Sequence, residues 1–121
     1  MQKSLKYWQN KLQLNDWVLK LVDDCNVSDF RLQDVSGESE WDTVNKCAVI
    51  RIISEKEYGN RIVPLIKEKV LLHELLHIKF GLLWESNNET QNLILHQIID
   101  DMAKTLYNVH KGSEKCIQQQ N

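Results

Sequence analysis

The stretch Val70 to Phe80, VLLHELLHIKF, constrains the chain most. Val70, Leu71, Leu72, Leu75, Leu76, Ile78 and Phe80 make it apolar nearly all round, the pattern of a helix running through a core. Within that run stand His73, Glu74 and His77. Two imidazoles and a carboxylate are costly in apolar surroundings without a partner. On a helix, residues i and i+4 share one face, so His73 and His77 can both reach one Zn²⁺. Glu74 falls on the adjacent flank, where a carboxylate can take a proton from a metal-bound water. The same spacing also arises by chance, with both histidines as ordinary packed residues. The apolar helical context and a candidate third ligand downstream favour the metal.

With 121 residues there is room for one domain around one core, expected over residues 1–110, with 111–121 as a flexible tail. A hydrophobic fraction of 42% and a charged fraction of 26% fit a soluble globular protein. Net charge is −2 and no basic block is interleaved with aromatics, which argues against nucleic acid as the main partner. The opening MQKSLKYWQNKLQLNDW lacks the apolar segment of a signal peptide. No run approaches the length of a membrane span, so no membrane partner is expected. Cys25, Cys47 and Cys116 are scattered and form no close pair. They read as reduced thiols of a cytoplasmic protein, and their spacing gives no support to a cysteine ligand.

In chain order, Ser4 to Leu14 reads as an amphipathic helix with Leu5, Trp8 and Leu12 inward. Trp17 to Val22 is a short strand candidate, and Phe30-Arg31-Leu32 a second. Ser36 to Ser39 reads as a turn or loop, and Asn45-Lys46 as a tight turn. Cys47 to Ile53, rich in β-branched residues, is the clearest strand, with one face open at Arg51. Glu55 to Asn60 is a polar connection. Pro64 marks a helix start, the helix runs from about Leu65 to Phe80, and Gly81 stops it. Ser86 to Glu89 is a loop with capping residues. A last helix covers roughly Glu89 to Val109, with Leu95, Ile99, Met102, Leu106 and Val109 as its inner stripe.

A catalytic zinc usually takes three protein ligands and keeps one position open. His96 and Glu89, both on the last helix, are the candidates for the third. At 100° per residue Glu89, His96, Asp100 and Tyr107 follow one stripe beside the apolar face. His96 is preferred, since Leu93, Leu95 and Ile99 favour its burial, and Glu89 is the alternative. Asp100, one turn past His96, suits the carboxylate that orients a ligating histidine, His73 or His77. His110, near the frayed end, is expected in solvent.

With HELLH at 73–77 and His96-Ile-Ile-Asp-Asp on the next helix, the chain resembles the zincin metallopeptidases. Gluzincins carry Glu-x-x-x-Asp on that helix. Here His96 stands in the Glu slot and Asp100 in the Asp slot. A three-histidine set resembles instead SprT-like proteases and related small bacterial and phage metallopeptidases. Lys79 departs from the apolar residue usual two places after the second histidine. The longer metzincin pattern, with a third histidine close behind, is absent. The resemblance spans about residues 1 to 110. It implies an α+β minimal zincin-like domain: N-terminal helix, small sheet, HExxH helix, C-terminal helix.

Two functions follow as expectations. The first is zinc-dependent peptide-bond hydrolysis, with Zn²⁺ on His73, His77 and His96, Glu74 as general base on the metal-bound water, and a protein or peptide as substrate. An open edge of Cys47–Ile53 would align the peptide, with Tyr58, Tyr107 or Arg51 as candidates to steady the oxyanion. The second is a non-catalytic, zinc-stabilised domain that binds a protein partner. Such a site has no need of Glu74 and usually fills the fourth position with Cys or His, which tips the reading toward the enzyme.

Overall fold

A computed structural model gives the fold; it describes residues 1–81 and 88–120, with side chains as far as 115. The strand most evident from sequence, β3 (Cys47–Ile53), forms the centre of a three-stranded sheet. Its apolar run suits a strand paired on both sides. Strand β1 (Val18–Cys25) lies parallel to it, with Val18 opposite Cys47 and Leu21 opposite Ile50. Strand β2 (Gly37–Asp42) lies antiparallel on the other side, with Gly37 opposite Ile52 and Trp41 opposite Ala48. Ala48, Ile50 and Ile52 are buried toward the helices. Arg51 points to the other face, where Nη1 donates to Glu40 Oε1 at 2.7 Å.

Helix α1 (Gln2–Lys11) buries Leu5 and Trp8, starting and ending a little earlier than the spacing of its apolar residues suggested. Gln13 then adopts positive φ, and the Gln9 amide donates to the carbonyls of Leu14 and Trp17, which closes the turn into β1. Ser54 caps a one-turn helix α2 (Glu55–Tyr58) inside the stretch read as a polar connection. Helix α3 (Lys67–Lys79) carries the histidine motif and starts two residues later than expected, with Ile66 as its cap. Helix α4 begins at Glu89 as expected, where Asn88 Oδ1 accepts from the N–H groups of Thr90 and Gln91. Ser86 and Asn87 of the expected capping loop lie outside the described residues. The helix continues to Gln120, through the residues expected as a tail.

Two sequence readings are corrected by tertiary pairing. Ser36 to Ser39 is not a loop, since Gly37 opens β2. A polar segment becomes a strand here because β3 offers it a ladder of backbone partners. Gly37 is also required sterically: a Cβ would stand 2.5 Å from Val70 Cγ1 and 3.2 Å from Glu74 Oε2. Phe30-Arg31-Leu32, in turn, forms no strand. It follows a 3-10 turn (Val27–Asp29), and the Arg31 N–H is taken by the Glu38 carboxylate at 2.9 Å rather than by a neighbouring strand.

The sheet, α3, α1 and α4 share one core. Leu71, Leu72, Leu75 and Leu76 of α3 pack with Ile50 and Ile52 below and with Ile99 and Ala103 of α4 alongside. The chain is therefore α+β, with N-terminal helix, small sheet, motif helix and C-terminal helix in the expected order. Val109, expected on the inner stripe, is instead exposed, because that turn of α4 lays His110 against α1. No described helix is long and apolar enough to cross a membrane.

Candidate metal centre

Helix α3 sets His73 and His77 one turn apart on the side facing α4. Their Nε2 atoms lie 3.0 Å from each other. Helix α4 brings His96 to the same point: its ring centre is 5.2 Å from that of His73 and 5.6 Å from that of His77. The burial expected for it is not found, since His96 and Leu93 are exposed and, of Leu93, Leu95 and Ile99, Ile99 alone is fully buried. One ligating nitrogen from each of the three falls within 4.8 Å of the others. Two nitrogens bound to one tetrahedral Zn²⁺ at about 2.0–2.1 Å stand about 3.3 Å apart, so the His73–His77 spacing is near that of a ligand pair. Burial, then the neighbouring imidazoles, lowers the His77 pKa to about 4. Burial, then His96, lowers that of His73 too, against an opposing pull from Asp100. Both rings are thereby kept neutral, the form that ligates a metal. The donor set and its spacing fit a divalent ion that favours imidazole, such as Zn²⁺.

Among the described residues this three-histidine group is the one able to hold a metal, and it contains neither Glu89 nor a cysteine. Glu89 stands seven residues before His96, about 10 Å away along the helix axis. There its carboxylate sits at the positive end of α4. Cys25 is buried and Cys47 exposed, both free. The side chain of Cys116 lies outside the described residues.

Asp100 faces His73, with Oδ1 3.7 Å from Nδ1 on the side of the ring away from the cluster. Its Oδ2 is 2.9 Å from Lys104 Nζ. This lysine, foremost, holds the Asp100 carboxyl below the usual range. Sequence reasoning passed over Lys104, whose pairing with Asp100 at i, i+4 was available from spacing alone.

Glu74, on the flank next to His73, turns toward β2 and is only 7% exposed, yet it borders the same cleft as the histidines. Burial raises its pKa to about 7, against the lowering effect of a hydrogen bond that Ser39 Oγ donates to Oε1 at 2.9 Å. Ser39 was also missed. It fell in a stretch read as a turn, and no local signal pairs it with a residue 35 positions away.

A cleft of about 740 Å³ opens over these groups. His73, His77, His96, Glu74 and Ser39 line one part, and Leu32, Val35, Tyr58 and Val63 line another. β2 runs along it. Cys47–Ile53, considered as a strand whose edge, if open, could align a peptide, is the central strand and has no edge; the sheet's edges are β1 and β2, and β2 is the one that borders the cleft. Ile53 N–H bonds to Ser36 O at 3.0 Å, so Ser36 and alternate residues after it face β3. The main-chain groups of Gly37, Ser39 and Trp41 therefore point outward, and no main-chain partner among the described residues takes them.

The three residues considered for an oxyanion are spread apart. Tyr58 lines the cleft, with its hydroxyl donating to the carbonyl of Val63. Arg51 is held by Glu40 on the far face of the sheet. Tyr107 lies beneath the ammonium groups of Lys69 and Lys111. His110, expected in solvent, is instead stacked on Tyr7 at 4.3 Å and edge-on to Trp8 at 5.2 Å.

No protein-family model matches this chain, and no curated protein or solved structure matches it.

Proposed function

We propose that the chain is a zinc-dependent peptidase. The observation that carries this reading is the convergence of three imidazoles beside a buried, strand-held glutamate at the open edge of a sheet. In this reading His73, His77 and His96 would hold Zn²⁺, which when bound would supply Lewis acidity, lowering the pKa of a water and polarising a carbonyl. Asp100 holds the His73 ring in place from its Nδ1 side. The outward main-chain groups of Gly37, Ser39 and Trp41 take an extended peptide as an added strand, in place of the β3 edge first considered. Glu74 accepts a proton from the attacking water and passes it to the leaving amine. Burial, which disfavours the charged carboxylate, raises the Glu74 pKa in the metal-free protein, a direction that favours its holding a proton on the way to the amine.

Glu74→Gln tests the reading. The variant should keep one Zn²⁺ per chain by elemental analysis, while cleavage of a mixed peptide library falls by about 10²–10⁴-fold. Undiminished cleavage by Glu74→Gln would sink the general-base role. A zinc-loaded wild type that cleaves nothing yet holds a protein partner tightly would point to the non-catalytic domain instead.

A further inference from the structure

Ser39 stands where the open edge of the sheet meets the buried carboxylate. Its hydroxyl donates to Glu74 Oε1. Its main-chain N–H and C=O lie on the outer edge of β2, by the alternation that follows from the Ser36–Ile53 bond. Nothing separates strand from helix at this point. Gly37, two residues earlier on the same face, has no side chain, and a Cβ there would collide with Val70 and crowd Glu74 Oε2. The strand thus lies directly on the motif helix, and at that contact the hydroxyl of Ser39 bonds to the Glu74 carboxylate.

We infer that Ser39 is a positioning residue that fixes the Glu74 carboxylate relative to a peptide backbone bound along β2. The inference rests on the peptidase reading and deepens it. One residue then sets two placements: its main chain registers the substrate, and its side chain registers the proton acceptor. The Ser39 hydroxyl keeps its own proton throughout. It occupies Oε1 and leaves Oε2 to receive the proton released when the O–H bond of the attacking water breaks. A glutamate side chain has three rotatable bonds, so without this anchor the carboxylate must be ordered anew in each turnover. A misplacement on the order of 1 Å is enough to cost about 100-fold in rate.

The test compares Ser39→Ala with Ser39→Thr in the full chain. With Zn²⁺ loaded and a quenched fluorescent peptide as substrate, Ser39→Ala should keep its metal and hold KM within about twofold of wild type. Its kcat should fall by about tenfold or more, and Ser39→Thr, which restores a hydroxyl, should recover most of the loss. A second arm needs no hydrolysis. NMR relaxation of ¹³C-labelled glutamate side chains should show Glu74 losing order in Ser39→Ala and regaining it in Ser39→Thr. Unchanged Glu74 order in Ser39→Ala overturns the proposal, as does a loss of kcat that Thr fails to restore. Should the wild type cleave no peptide, the peptidase reading fails, and the relaxation arm alone decides whether Ser39 holds Glu74.

Discussion

Helix α4 carries two histidines fourteen residues apart, His96 and His110, close to four full turns and so on nearly the same side. Their surroundings differ completely. His96 meets the imidazoles of His73 and His77 across the α3–α4 contact, with Asp100 one turn along. His110 meets the rings of Tyr7 and Trp8 where α4 crosses α1, and its Nε2 lies 3.1 Å from Glu114 Oε1. Close by, Glu68 accepts from the Trp8 indole and pairs with Lys111. One histidine converges with other nitrogen donors on a shared point. The other is packed against two aromatic rings and pairs with one carboxylate on its own helix. A histidine on a helix acquires its role from the element opposite, not from its own helix.

The sharpest way to break this comparison is to remove each ring in turn. His96→Ala should lower zinc affinity by well over about 100-fold in a competition titration, since a three-ligand site loses a whole ligand. Equal zinc affinity in that variant, with loss in Glu89→Ala, would reverse the assignment. Asp100→Ala comes next. In the proposed site it removes the carboxylate beside His73 Nδ1 and leaves the three histidines in place, and a loss of about 10–100-fold in affinity is expected from the same titration.

The pH response of the metal-free protein sharpens the picture on the α3 side. Glu74 has its folded pKa raised from 4.5 to about 7, so its contribution to stability is present below pH 4.5 and is lost as pH rises through 7. His77 has its folded pKa lowered from 6.5 to about 4, so its contribution is present above pH 6.5 and is lost as pH falls through 4. The two oppose each other between pH 4.5 and 6.5. His73, lowered in the same sense as His77, adds to the histidine side, so chemical denaturation of the metal-free wild type should show only a shallow rise in stability with pH across that window. Metal-free Glu74→Gln, left with the histidine contribution, should gain stability steadily with pH, diverging from wild type by up to about 3 kcal/mol at neutrality. Parallel pH curves for the two proteins would contradict the burial of Glu74.

The smallest effect is expected at the other histidine. His110→Ala should bind zinc as wild type does and lose about 1 kcal/mol of stability, the scale of one aromatic contact, measured by urea denaturation. A fall in zinc affinity in this variant would mean that the two ends of α4 are coupled.

Much of the molecule was legible in the sequence. A run of β-branched residues marks Cys47–Ile53, because a strand paired on both sides is apolar almost throughout. The histidine helix is legible because an apolar run cannot carry His73, Glu74 and His77 without a reason. His96 and Asp100 follow from helical periodicity, since a period of 3.6 is a property of the backbone and needs no partner to be read. Tertiary structure decided the rest. β2 is polar by composition and becomes a strand only because β3 supplies its hydrogen bonds. That pairing moves the open edge from Cys47–Ile53 to Gly37–Asp42 and brings Ser39 to Glu74 across 35 residues. The aromatic setting of His110 likewise depends on where α1 lies, more than a hundred residues away in sequence. Local periodicity fixes which residues share a face. Which faces meet depends on contacts between distant segments, and these carry no local signal.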